Sequence, residues 1–244
     1  MAEHLLGNVY QVGGEEITHP MDGASYLIVD PCGKEHMLID CGSTFGQPEL
    51  QHQIKQVTEL GRVAIVNLTH NHFDHSSAAA SMPDTIVRVH QHDVRPMREA
   101  DPVETFASHY KAPYPHIISP IETIPDGHES SIGGTTITAI HTPGHTLGSM
   151  CYKVTTNEGT ILLAGDTLWG CYRTRHRYLK EWRESLDKLA QDNFDYVSFG
   201  HGISFLIPDA MQHIDLARSC FGVKTEPSQD GSVLDPWAAS WTST

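Results

Sequence analysis

The chain is poor in basic residues and has no long apolar run. It contains 16 lysines and arginines against 30 aspartates and glutamates, which gives a formal net charge of −14 at pH 7. Non-specific nucleic-acid binding depends on clustered positive charge, so this balance argues against a nucleic-acid partner. No apolar run approaches the length of a membrane span, which argues against a membrane protein.

The sequence also has no C-x-x-C pair and no serine-nucleophile motif, and its first residues do not predict an export signal. The chain starts Met-Ala-Glu-His-Leu-Leu-Gly-Asn, without a basic region followed by a long apolar stretch. Together with unpatterned cysteines, this predicts reduced thiols and a cytoplasmic location. A G-x-S-x-G sequence is absent, so no serine nucleophile is indicated. The cysteines, scattered without a C-x-x-C pair, are Cys32, Cys41, Cys151, Cys171 and Cys220.

Residues 70–75, His-Asn-His-Phe-Asp-His, hold three imidazoles and a carboxylate directly after the apolar run 63–68. Imidazole and carboxylate are ligand types that suit zinc, iron and manganese. Four such groups exceed what one tetrahedral ion with an open position can take, so two neighbouring ions are predicted. The alternative is a polar surface loop in a histidine-rich chain.

Three later segments repeat this arrangement of a strand-like run followed by a ligand-type residue. His145 lies in Thr-Pro-Gly-His-Thr, Asp166 in Gly-Asp-Thr-Leu and His201 in Gly-His-Gly. Each segment contains glycine, which lets the backbone pass close to a ligand. The preceding apolar runs are residues 136–140, 161–164 and 196–199.

The ordered set H-x-H-x-D-H, T-P-G-H-T, G-D-T-L and G-H-G resembles the metallo-β-lactamase superfamily. It is similar to the dinuclear hydrolase branch that includes glyoxalase II and the acyl-homoserine lactonases. The resemblance implies an α/β fold, the four-layer αββα sandwich, and two divalent ions, with zinc preferred over iron or manganese. It also implies that one ion is held by His70, His72 and His145, the other by Asp74, His75 and His201, and that Asp166 bridges them.

The implied chemistry is hydrolysis by a hydroxide shared between the two ions. Asp74 is then both a ligand and the residue that orients the water and passes its proton to the leaving group. Segment 95–120 is either a partly helical cover of the site or an ordinary surface connection. Candidate substrate contacts follow the bridging aspartate: Trp169, Tyr172, Arg173 and His176.

Residues 1–223 are predicted to form one domain, followed by a polar tail over residues 224–244. Helices are expected from Pro48 to about residue 60, over residues 178–189 and from Pro208 to about residue 221. Another helix is expected to begin at residues 76–80. Trp237 and Trp241 in the tail are predicted to dock on the body or on a second subunit, which makes a homodimer an open alternative.

Departures from known branches leave the substrate open. Only a helix and the tail follow His201, where glyoxalase II carries a helical domain. Trp169 stands where the lactonases place a tyrosine. The sequence therefore predicts a hydrolase of a small-molecule lactone or thioester. One alternative is an iron enzyme like the persulfide dioxygenases, because residues 170–173 resemble the Gly-Cys-x-Arg element of those enzymes. The other is a metal-binding regulatory protein without turnover.

Overall fold

The computed structural model describes residues 1–33, 35–58, 62–168, 177–202 and 205–219. Seven strands form the first sheet in sequence order, antiparallel from β1 to β4 and parallel from β4 to β7. They are β1 (Glu3–Leu6), β2 (Val9–Gly13), β3 (Ser25–Ile28), β4 (Glu35–Ile39), β5 (Arg62–Asn67), β6 (Ile86–Val89) and β7 (Ile121–Thr123).

Six strands form the second sheet in the order β13-β12-β11-β10-β9-β8. The pair β11–β12 is parallel and the other neighbours are antiparallel, so β9, β11 and β12 run in one direction. The strands are β8 (Glu129–Ile132), β9 (Thr135–His141), β10 (Met150–Thr156), β11 (Gly159–Leu163), β12 (Tyr196–Ser198) and β13 (Ile207–Pro208).

The helices confirm three of the four helical segments expected from the sequence. Pro48 lies in the first turn of α1, where its missing N–H costs nothing. The segment after the His70 loop differs, because a one-turn helix ends at Ser76 and a 3₁₀ turn continues to Ser81. The helices are α1 (Gln47–Val57), α2 (Phe73–Ser76), α3 (Gln91–Glu99), α4 (Ala107–Tyr110), α5 (Leu179–Leu189) and α6 (Ala210–Ser219).

Side-chain alternation along the strands produces four layers. Successive strand residues point to opposite faces. Tyr26 on β3 and Tyr152 on β10 belong to one buried cluster between the two sheets. Leu27 faces the other way, into a cluster with Leu50 of α1, and Leu162 packs with helices α5 and α6. The layer order is therefore helix, sheet, sheet, helix, which confirms the αββα sandwich. Among the helices of the described ranges, none combines the length and apolar character that a bilayer crossing needs.

Two buried tyrosines connect the sheets directly below the loops that carry the ligand-type residues. The Tyr26 hydroxyl lies 2.8 Å from Ser198 Oγ and 3.1 Å from the carbonyl oxygen of Phe199. The Tyr152 hydroxyl donates to the carbonyl oxygen of Leu68 at 2.8 Å. Leu68 and Phe199 each precede a candidate ligand by two residues, so these hydrogen bonds fix where both loops leave their strands.

Replacing either tyrosine by phenylalanine should lower the free energy of unfolding by about 1–2 kcal/mol, since a buried carbonyl or hydroxyl loses its partner. Tyr10→Phe is the control, because that ring is only half-buried, beside His4. Urea unfolding followed by circular dichroism measures the three variants. Equal losses in all three would contradict a bridging role for the two buried hydroxyls.

Candidate metal centre

Strand direction brings the candidate ligands to one edge of the sandwich. In the first sheet the His70 loop follows β5, one of the parallel strands. In the second sheet His145, Asp166 and His201 follow β9, β11 and β12, which run in a common direction. Carboxyl ends of strands with the same direction meet at the same edge, where open α/β structures collect ligands.

The seven predicted residues converge there in three overlapping groups. Within each group, one nitrogen or oxygen of every residue lies within 4.8 Å of the others. Nε2 of His145 lies 3.0 Å from Nδ1 of His72, and Nε2 of His75 lies 3.4 Å from Nε2 of His201. The groups are His70, His72 and His145; His70, His75 and Asp166; and Asp74, His75 and His201.

Asp166 lies between the two outer groups. Its Oδ2 is 3.3 Å from Nε2 of His145. Its Oδ1 is 3.3 Å from Nε2 of His75 and 3.7 Å from Nε2 of His201. One carboxylate thus faces a group on each side, which is the geometry that a bridging ligand needs. Which ion each side chain holds stays a prediction.

The donor set fits divalent cations. Within the described part of the chain, no group hydrogen-bonds to the buried Nε2 of His70. Burial and the neighbouring His145 lower the pKa of His72 to about 3, and burial lowers that of His70 well below its usual range. Neutral imidazole is the form that ligates metals. A buried nitrogen without a hydrogen-bond partner and closely facing neutral rings fit a site that binds a divalent cation.

Asp40, at the end of β4, orients the His75 ring. Its Oδ2 lies 2.8 Å from Nδ1 of His75 and also accepts the Thr69 hydroxyl at 2.7 Å. Its Oδ1 accepts the Thr69 backbone N–H at 2.7 Å. Because an ionised carboxylate only accepts, Nδ1 of His75 carries the proton and Nε2 faces Asp166. The sequence analysis missed this role, although Asp40 ends an apolar strand just as the ligand-type residues do.

Glu15 orients the His201 ring in the same way. Its Oε1 accepts from Nδ1 of His201 at 3.0 Å. The other ring nitrogen then points at Asp74, whose Oδ2 is 3.2 Å away. Glu15 lies in the turn after β2, 186 residues before its partner. No motif marks it, so sequence reasoning had no signal that could have found it.

Asp93 of α3 joins two of the loops. Its Oδ2 accepts the Asn71 backbone N–H at 3.0 Å and the Thr146 hydroxyl at 2.9 Å. Its Oδ1 accepts the Gly148 N–H at 3.1 Å. Burial raises the pKa of this carboxyl to about 6, against the effect of its hydrogen bonds. The His70 loop and the His145 loop are thus held together by a side chain that belongs to none of the three candidate ligand groups.

Segment 95–120 packs against the His70 loop. The Phe106 ring stacks on His72 with centroids 5.1 Å apart. Phe73 donates its backbone N–H to Thr105 at 2.9 Å, and the Tyr114 hydroxyl lies 2.9 Å from Ser76 Oγ. These contacts put the segment beside the candidate metal centre. The four predicted substrate contacts, Trp169, Tyr172, Arg173 and His176, lie outside the described residues, as does the tail 224–244.

Comparison with known proteins settles the family. The sequence model of the metallo-beta-lactamase superfamily matches residues 20–201. The chain belongs to this superfamily. The predicted relationship is therefore confirmed, and with it membership of a superfamily of metal-dependent hydrolases.

Relatives that are similar in sequence include a hydroxyacylglutathione hydrolase and a carboxyl ACP thioesterase. The cytoplasmic hydroxyacylglutathione hydrolase of Saccharomyces cerevisiae is 33% identical over 61% of this chain and 49% of its own length. The atrochrysone carboxyl ACP thioesterase of Aspergillus fumigatus is 27% identical over 78% of this chain and 54% of its own length. The chain thus spans about half the length of these two relatives.

Solved structures support the fold alone. The FEZ-1 metallo-beta-lactamase from Legionella gormanii superposes with a TM-score of 0.72 at 20% identity, covering 90% of this chain and 93% of that one. A motif mutant of the Cronobacter sakazakii metallo-beta-lactamase gives 0.72 at 22% identity, covering 91% and 95%.

Removing the Glu15 carboxylate should weaken metal binding by about 10- to 100-fold, since the second partner of a ligating histidine tunes its orientation and basicity. Glu15→Ala is compared with Glu16→Ala, the exposed neighbouring residue. Competition with a chromophoric chelator measures the affinity of each metal step. Equal metal affinities in the two variants would contradict a role for Glu15 in metal binding.

Proposed function

We propose that this protein is a dinuclear metal-dependent hydrolase that cleaves a small ester-like substrate, with a thioester favoured over a lactone. The observation that carries the proposal is the double-facing Asp166 carboxylate, 3.3 Å from His145 on one side and 3.3 Å from His75 on the other. A carboxylate that faces both groups lies where one residue can contact two ions, which supports a dinuclear centre. The proposed metals are two zinc ions, with iron or manganese as alternatives.

Two bound divalent ions supply Lewis acidity and a water of lowered pKa. The chain's own residues do the rest. Asp40 and Glu15 hold two imidazoles in the orientation that the centre needs. Asp93 keeps the His70 and His145 loops at a fixed separation. Held ligands keep reacting groups in place, which is where much of the rate of such enzymes arises.

Asp74 is the proposed proton carrier. Its Oδ2 lies 3.2 Å from Nε2 of His201 and 3.9 Å from Nε2 of His75. Burial opposes its ionisation, but His75 and His201 outweigh burial and lower the pKa of this carboxyl. A carboxylate at neutral pH can accept a proton from the attacking water and return it to the leaving thiolate or alkoxide.

The thioester preference rests on similarity. An acyl group joined through sulfur to glutathione or to a carrier protein is a thioester, and a hydroxyacylglutathione hydrolase and a carboxyl ACP thioesterase each align with more than half of this chain. Hydrolysis at a carbonyl carbon is common to thioesters and lactones, so the same residues serve either substrate. A small-molecule substrate is proposed in both cases.

Metal stoichiometry separates this proposal from the alternatives. Two ions per chain favour hydrolysis, whereas a single ferrous ion favours oxygen chemistry of the persulfide dioxygenase type. The element that suggested the latter, residues 170–173, lies outside the described residues. Turnover of any ester or thioester by metal-loaded protein rules out a purely regulatory role. We also propose a cytoplasmic location; dimerisation stays a prediction.

Asp166→Ala should lower the metal content from two ions per chain to one or fewer, because the bridge and its charge are both lost. Hydrolysis should fall by about two orders of magnitude or more, as for other residues that organise charge in a transition state. Mass spectrometry of bound metal and a panel of thioesters, lactones, phosphoesters and β-lactams provide the readouts.

Asp84→Ala is the matched control, since this aspartate is exposed in the turn before β6. Circular dichroism establishes that both variants fold. A folded Asp166→Ala protein that keeps two ions and the wild-type rate would refute the dinuclear proposal.

A further inference from the structure

A cavity of about 580 Å³ opens beside one half of the candidate centre. His72 and His145 form part of its wall, so it meets the candidate ligand group of His70, His72 and His145. Glu15 and His201, on the other half, do not line it. Its volume lies within the range of cavities that enclose small organic molecules. A substrate held at the centre would extend into this space.

The cavity wall exposes large apolar side chains. Val103 is 67% exposed, Phe106 44% and Leu147 37%, and all three line the same space. Single exposed apolar residues are ordinary, but several that share one concave surface beside a reactive centre indicate a binding site. They come from two different segments, so their proximity is a property of the fold rather than of local sequence.

Phe106 is held in place at some conformational cost. Its φ of 62° lies in the left-handed region, which a bulky side chain rarely adopts. The turn before it is fixed by Asp101, whose Oδ1 accepts the N–H groups of Val103 at 2.9 Å and Glu104 at 3.1 Å. Such backbone persists where the surrounding structure enforces it, commonly at ligand sites. Here it holds an aromatic ring against His72 at the cavity wall.

The charged groups on the described wall are already matched. Arg177 Nη1 lies 3.0 Å from Glu104, and Arg95 Nη1 lies 2.9 Å from Glu99. Asp93 is occupied by backbone and hydroxyl donors. Exposed ion pairs contribute little to stability, but they cancel local charge. The described wall therefore lacks a surplus of positive charge for a substrate part that carries several carboxylates.

We propose that this cavity binds the uncharged, apolar acyl part of the substrate, with Phe106, Val103 and Leu147 as the contact surface. The inference rests on the proposed function and narrows it to thioesters or esters of aliphatic or aromatic acids. It disfavours substrates whose recognition depends on an anionic peptide such as glutathione. Phe106 is a specificity-determining residue in this assignment.

The test uses neutral N-acetylcysteamine thioesters of the acetyl, butyryl, hexanoyl and octanoyl series with protein of measured metal content. The value of kcat/KM should rise about fourfold for each methylene that becomes buried, until the cavity is filled. Acetyl-glutathione should be a poorer substrate than the octanoyl thioester.

Two variants locate the effect. Phe106→Ala should flatten the dependence on chain length while leaving the metal content unchanged. Val103→Asp places a charge on the cavity wall and should lower kcat/KM roughly tenfold for the octanoyl thioester, but little for the acetyl one. Ile118→Asp is the matched control, since Ile118 is 74% exposed and lies outside the cavity wall.

Binding of octanamide, which lacks the labile bond, is measured by calorimetry on the same proteins. Rates that do not depend on chain length, or equal losses in Val103→Asp and Ile118→Asp, overturn the cavity assignment and leave the hydrolase proposal standing. If no thioester or ester is cleaved, but octanamide binds and Val103→Asp weakens its binding, the proposed function fails and the apolar site stands. If neither cleavage nor binding occurs, both are overturned.

Discussion

The buried negative charge of the Asp166 carboxylate is the feature that the surrounding residues must stabilise. Burial opposes its ionisation, yet His201, His75 and His145 outweigh burial and lower its pKa well below the usual range. A buried negative charge needs positive charge beside it. His201 supplies some, because Asp166, Asp74 and Glu15 overcome burial and raise its pKa to about 9. A divalent ion can replace such a proton, so metal binding and proton release are linked at this centre.

Close packing of backbone against these side chains explains why glycine recurs beside the ligand-type residues. A β-carbon at Gly200 would lie 2.2 Å from Oδ1 of Asp166, and one at Gly23 would lie 2.3 Å from the His75 ring. Neither distance is compatible with a side chain. The Gly-His-Gly segment therefore places His201 and at the same time leaves room for the carboxylate beside it. Because the packing is this close, small shifts of either sheet would disturb the centre. The hydrogen bonds of the buried Tyr26 and Tyr152 hydroxyls between the sheets limit such shifts.

The convergence of the seven ligand-type residues could be predicted because the motifs that carry them are local, and the four layers followed from the superfamily that those motifs resemble. An apolar run followed by a polar loop can be recognised from the sequence alone. The order of these segments along the chain is typical of one superfamily. The role of Glu15 could not be predicted, because it depends on a contact with His201, 186 residues away in the sequence. Short edge strands such as β1 and β13 were missed for a related reason. Their hydrogen bonds come from partners that only the folded chain supplies. The left-handed backbone at Phe106 has no signature in residue type at all.

The two halves of the centre differ in what surrounds them, and this asymmetry has chemical consequences. Beside His201 lie two carboxylates, Glu15, which accepts from its ring, and Asp74, the proposed proton carrier. Around His72 the neighbours are Phe106 and an open cavity with apolar residues on its wall. A substrate that lies across both halves would place its apolar part beside His72 and the bond that needs a proton beside Asp74. Proton transfer and substrate selection would then be assigned to different segments, the N-terminal turns and His70 loop for the first and residues 101–106 for the second. Such a division allows acyl specificity to change without disturbing the groups that the hydrolysis requires.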